Sequence, residues 1–155
     1  MHILVACEMS GKVREAFRLR GHDAISADLL PSRLPGPHYQ GDVRDLLSQE
    51  WDMIIAFPPC TYLSAARGVP GYVSHPEEFK EALAFLRMFL DHPCERVAVE
   101  NPVGHVTKFY RKYDQLIQPY HFGHPVSKRT CIWVEGTSAS CAYARSLSVL
   151  HNGSI

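Results

Sequence analysis

The segment Phe57-Pro58-Pro59-Cys60-Thr61-Tyr62-Leu63-Ser64 sets a thiol just beyond an apolar run, residues 53–57, that reads as a buried strand. A second apolar run, residues 96–99, ends in Glu100-Asn101-Pro102. A thiol and a carboxylate at the ends of two such strands can face one crevice. That pairing suits covalent chemistry on a heterocycle. The fixed dihedrals of Pro58 and Pro59 stiffen the backbone that presents Cys60. Taken singly, each residue has an ordinary alternative: Cys60 as a packed thiol, Glu100 as a cap on the next helix.

The elements that must position these residues follow from the hydrophobic pattern. His2 to Cys7 is a nearly continuous apolar run, as expected of a central parallel strand covered on both faces. Val13, Ala16, Phe17 and Arg20 then recur at helical spacing, with Ser10 as a candidate cap and Gly21 as a candidate stop. A short strand over residues 24–27 ends at Asp28. Pro31, Pro35, Gly36 and Pro37 make residues 31–38 irregular. Gly41-Asp42-Val43 closes a weak third strand, and residues 43–49 read as a short helix.

Beyond Cys60, residues 61–76 read as a long loop. Ser74-His75-Pro76-Glu77 has the spacing of a capping box. The following helix carries Phe79, Ala82, Leu83, Leu86 and Phe89 on one stripe. A helix over residues 102–113 and two strands over 116–120 and 130–134, an antiparallel pair at one edge, complete the pattern. Alternating strands and helices at this spacing predict an α/β fold with a doubly wound, mostly parallel sheet. One domain over residues 1–136 accounts for it, and residues 137–155, rich in serine without a period, read as a loosely attached tail.

The chain has 155 residues, enough for one substantial core; 46% are hydrophobic and 21% charged, which describes a globular protein. No run approaches the length of a membrane span and the first residues do not form an export signal, so a cytoplasmic location is expected. Sixteen Lys plus Arg balance sixteen Asp plus Glu, so nucleic-acid binding requires that charge be segregated on the surface. The five cysteines lack the short spacing of a metal knuckle, which predicts free thiols and no metal.

Ligands of open sheets collect beyond the carboxyl ends of the strands. Glu8, Asp28, Asp42, Cys60 and Glu100 all fall at such ends. Asp28 stands where an acid accepts hydrogen bonds from a ribose, whereas the first turn lacks G-x-G-x-x-G and places Glu8 where a pyrophosphate would be repelled. A cofactor with a ribose and no phosphate fits this better, and S-adenosylmethionine is the obvious one. The alternatives are a turn-binding role for Glu8 and Asp42 and an ordinary loop acid at Asp28.

The ordered set resembles the cytosine-C5 DNA methyltransferase family, and more closely its short phage-type members. Leu4-Val5-Ala6-Cys7-Glu8-Met9-Ser10-Gly11 corresponds to the family's first cofactor loop, Gly41-Asp42-Val43 to the segment at the adenine, and Pro59-Cys60-Thr61-Tyr62-Leu63-Ser64 to the proline-cysteine nucleophile. Glu100-Asn101-Pro102 and Lys128-Arg129-Thr130 correspond to later active-site segments. The resemblance implies a Rossmann-like methyltransferase fold without a target-recognition domain. It also implies S-adenosylmethionine held by Cys7, Glu8, Ser10, Gly11, Asp28, Asp42, Val43 and Pro58, and catalysis by Cys60, Glu100 and Arg129. The implied substrate is cytosine in DNA or in a cytidine nucleotide, with sequence-specific action depending on a second copy of the chain or a separate DNA-recognition subunit. An inactive descendant that serves binding or assembly, and another cofactor-dependent enzyme, are the alternatives.

Overall fold

The computed structural model describes residues 1–64 and 73–136. The expected tail over 137–155, Cys141 and the middle of the loop after Cys60 lie outside the described residues. Seven strands form one sheet: β1 (His2–Ala6), β2 (Asp23–Asp28), β3 (His38–Gln40), β4 (Met53–Ala56), β5 (Val97–Pro102), β6 (Gln115–Ile117) and β7 (Thr130–Glu135). Their spatial order is β3-β2-β1-β4-β5-β7-β6. The first five are parallel, and β7 runs antiparallel between β5 and β6. This is a Rossmann-like α/β arrangement, and the expected antiparallel edge pair is present.

The apolar run of β1 is continuous because both faces are covered. Leu4 and Ala6 enter the cluster under α2 (Pro76–Leu90), while Ile3 and Val5 enter the opposite cluster with Phe17 of α1 (Lys12–Arg18). Alternation along a strand sends successive side chains to opposite faces, so each parallel strand feeds two layers. The face under α2 is the larger and holds Trp51, Phe79, Leu86, Phe89 and Trp133. Trp133 is fully buried, and its indole N–H donates to the Arg111 carbonyl at 3.0 Å. Among the described residues no helix is long and apolar enough to cross a membrane.

Several local expectations are corrected. Gly11, not Ser10, is the residue before α1, in the left-handed region at φ 75°; the Ser10 hydroxyl oxygen accepts the amide of Lys12 instead. His75 precedes α2 without a side-chain cap, so the Ser74 box does not form, although Pro76 starts the helix as its fixed φ favours. Residues 43–49 yield only a 3-10 turn, Val43–Leu46. The helix expected over 102–113 shrinks to α3 (Val106–Phe109), because β5 continues through Pro102 in register with β7. β6 stops at Ile117 because Pro119, which has no amide hydrogen to donate, opens a 3-10 turn, Pro119–Phe122.

Trp133→Ala is expected to cost about 3–5 kcal/mol, since it empties a large buried site and strands a carbonyl. Trp133→Phe should cost less, and urea unfolding of the two variants measures the difference.

Candidate functional site

The strand order reverses between β1 and β4, which is where a crevice opens at the carboxyl end of a sheet of this kind. At that end β1 turns through Cys7, the one non-glycine residue with positive φ (58°) among the described residues. Such a conformation costs on the order of 1–3 kcal/mol and persists only where the surroundings impose it. The turn buries Glu8, which is 6% exposed and whose amide donates to the Ala27 carbonyl at 3.1 Å. One carboxylate oxygen of Glu8 accepts the Ser10 hydroxyl; the other is buried with no protein partner. A buried acceptor in that state calls for a donor from a ligand or solvent.

A cleft of about 570 Å³ lies beside this turn. Four of the residues expected to hold a cofactor, Cys7, Asp28, Asp42 and Val43, are part of its lining, together with Ala27, Arg44, Pro59, Tyr62, Ala82 and Phe85. Glu8, Ser10 and Gly11 form the turn following Cys7 and do not themselves line the cleft. Pro58 also lies outside the lining: it is buried, and its neighbour Pro59 takes the place expected for it. Asp28 accepts the amide of Leu30 and Asp42 accepts the amide of Arg44, each at 2.9 Å, so both acids brace their turns as well as facing the cleft. Burial, then Asp28, then Asp42 push the Cys7 thiol up to about 12, which makes it a neutral wall and not a nucleophile.

Cys60 and Glu100 stand at the same end of neighbouring strands. Ala56 pairs with Val99, so the chain leaves β4 beside the residue that precedes Glu100. The two following loops are tied across the gap. The Asn101 amide donates to the Pro58 carbonyl at 2.9 Å, the His105 amide donates to the Leu63 carbonyl at 2.8 Å, and Ser64 bridges Gly104. A Cβ on Gly104 would lie 2.0 Å from the Leu63 carbonyl oxygen, so only glycine permits this approach. The Cys60 carbonyl accepts the amides of Leu63 and Ser64, closing a tight turn that leaves Cys60 exposed.

Glu100 is partly buried, and burial raises its pKa above the ordinary carboxylate value despite the opposing pull of Lys128 and of a Thr130 hydrogen bond. The cation that acts on Glu100 is therefore Lys128. Arg129 is exposed and acts on Cys131, a thiol pushed up to about 11 by burial, with Arg129 pulling it down and Glu100 pushing it up. Glu100, Lys128, Arg129 and Cys131 thus form one neighbourhood, which adds Lys128 and Cys131 to the expected Glu100 and Arg129.

Asn101, Gly104 and Phe85 were missed as parts of the site. Asn101 stands in the sequence only as part of a motif, and Gly104 falls inside the helix expected over 102–113. Phe85 carried a signal: an aromatic residue off the buried stripe of α2, which turns out to face the cleft.

No family model matches the chain, and no curated protein sequence matches it. Among solved structures, the co-crystal structure of WbdD and the kinase inhibitor LY294002 aligns at a TM-score of 0.52 and 13% identity, over 84% of this chain and 35% of that one. A crystal structure of MtNAS in complex with MTA and tNA aligns at a TM-score of 0.45 and 10% identity, over 87% of this chain and 52% of that one. The chain therefore spans well under two thirds of either protein. The likeness to WbdD shows a shared fold.

Gly104→Ala is expected to destabilise the protein by about 1–3 kcal/mol, as overpacking against backbone does. Gly123→Ala has open space for its Cβ and a left-handed φ of 87°, so it reports backbone strain alone in the same thermal melts. For Glu100 the sign follows from its raised pKa: the folded state holds the proton more tightly, so this group's contribution to stability falls as pH rises from the unfolded value through the folded one. Glu100→Gln should therefore raise the melting temperature at pH 7 relative to its effect at pH 4.

Proposed function

We propose that the chain is an S-adenosylmethionine-dependent methyltransferase acting on C5 of cytosine, in DNA or in a cytidine nucleotide, with Cys60 as nucleophile. The observation that carries this reading is the cross-tied pair of loops, which holds Cys60 and Glu100 at the ends of adjacent strands beside a carboxylate-rich cleft.

The cleft fits the cofactor in charge and shape. Asp28 and Asp42 offer acceptors to ribose hydroxyls or an amino group, and Val43, Ala82 and Phe85 offer apolar surface to a planar base. The unpartnered Glu8 oxygen supplies a further acceptor near the turn. Carboxylates favour a cationic, phosphate-free ligand and disfavour a dinucleotide. When bound, S-adenosylmethionine supplies an electrophilic methyl group.

The chain's own residues then do the following work. The Cys60 thiolate adds to C6 of the pyrimidine, while Glu100, whose burial favours its protonated form, donates to N3 and takes up the charge pushed into the ring. C5 thereby becomes nucleophilic. After C5 has gained the methyl group, water takes the C5 proton, the Cys60 sulfur leaves as the thiolate and N3 returns its proton to Glu100, which restores the aromatic ring. Lys128, already acting on Glu100, and Arg129 stand where they can hold the anionic part of the substrate. A base within a duplex has to leave the stack to reach this end of the sheet.

Radiolabelled methyl donor offered separately with DNA, RNA and free cytidine nucleotides tests the reading. Label is expected in one cytosine substrate, abolished by Cys60→Ala and lowered about 10²–10⁴-fold by Glu100→Gln. Donor binding without transfer to any of the three would leave the chain a binding protein of the same fold.

A further inference from the structure

Arg14 is fully buried in α1, and its guanidinium makes an unusually complete set of bonds. Nε donates to the Glu15 carboxylate at 3.0 Å. One terminal nitrogen donates to the Ser26 and Ser32 hydroxyls and the Pro37 carbonyl, at 3.0, 3.1 and 3.3 Å. The other donates to the carbonyls of Leu34 and Pro35, at 3.0 and 2.8 Å. Most of these acceptors belong to the irregular segment between β2 and β3. Three prolines there lack amide hydrogens to donate, so residues 29–37 form no strand, although the Pro37 carbonyl also accepts the Ser26 amide at 3.2 Å.

The surroundings are built to admit the guanidinium. A Cβ on Gly11 would lie 2.8 Å from a terminal nitrogen of Arg14, and one on Gly36 would lie 2.9 Å from the same atom. Gly11 closes the turn that begins at Cys7, and the Arg33 amide donates to the Met9 carbonyl of that turn at 2.8 Å. The two loops held together in this way both leave from the cleft, one from Cys7 and the other from Asp28 and Leu29; Gly41, whose amide donates to the Asp28 carbonyl at 3.0 Å, and Asp42 follow β3 beside them. Arg14 itself lies outside the cleft lining.

We propose that Arg14 is a positioning residue that holds the Cys7 turn and the Asp28 wall of the cleft in their ligand-binding shape, in place of the glycine-rich turn that the sequence lacks. The proposal rests on the cofactor reading given above. The chain from Leu29 to Pro37 lies outside any strand, so no ladder fixes the position of that stretch against the turn after β1. The fork of the guanidinium reaches carbonyls from Leu34 to Pro37 at once. A lysine, with its donors on one atom, cannot span them.

Calorimetric titration with S-adenosylhomocysteine, below the melting temperature of every variant, tests this with Arg14→Lys, Arg14→Met and Val97→Ala. Val97 is buried in β5 away from the cleft lining and serves as a control for lost stability. Both Arg14 variants are expected to bind at least about tenfold more weakly, with faster amide exchange over residues 29–41, while Val97→Ala melts earlier and binds as the wild type does. Wild-type affinity in Arg14→Lys and Arg14→Met overturns the proposal while leaving the cofactor reading intact, as does a loss of affinity in Val97→Ala equal to theirs. Failure of the wild-type protein to bind the nucleoside overturns the cofactor reading and the proposal with it.

Discussion

The site depends on the hydrogen bonds that tie the loop after β4 to the end of β5 and to the loop that follows it. A parallel pair of strands fixes where two chains leave a sheet, but nothing in the ladder fixes where they go next. Here a buried asparagine reaches the Pro58 carbonyl, a backbone amide reaches Leu63, and a glycine lets the two backbones touch. Loop residues that would otherwise sample many conformations are confined by these contacts, which is the entropic requirement of any preorganised site. The ordered position of Cys60 is thus a property of residues 58–64 and 101–105 together.

The carboxyl end of the sheet is divided by charge. Asp28 and Asp42, with Glu78 and Glu81 from α2, surround the cleft by β1 to β3. Gln118 to Arg129, leaving the same end beside β5 and β7, contains no acid and ends in Lys128-Arg129. A neutral total charge conceals this segregation. Opposite fields on two halves of one edge sort a cationic ligand from an anionic one before either makes a specific contact. Cys60 lies between the halves, after β4.

Much of the fold was legible because its parallel strands are buried on both faces and therefore appear as unbroken apolar runs. β1, β4 and the core of β5 were read from such runs, and the acids at their ends followed. The helix over 102–113 was misread because its composition does not reveal that β5 extends three residues to pair with β7; pairing between distant segments overrides local propensity. The caps at Ser10 and Ser74 failed for a related reason: the turn before each helix is set by contacts with other loops, which leave the serine hydroxyl pointed elsewhere or unused. Arg14 was invisible as anything but a charge on a short helix. Its significance comes from prolines some twenty residues away, and no periodicity encodes that meeting.

The differing environments of the thiols carry a consequence for damage. Cys7 and Cys131 are held as neutral sulfhydryls by burial, and the Cys94 sulfhydryl donates to the Trp51 carbonyl at 3.1 Å. Cys60, among the described residues, is the exposed one. Oxidants and alkylating agents attack where sulfur is both accessible and able to ionise. Among the described thiols, the arrangement that presents one sulfur outward therefore directs such reagents to Cys60, while the three interior sulfurs ride out the same insult.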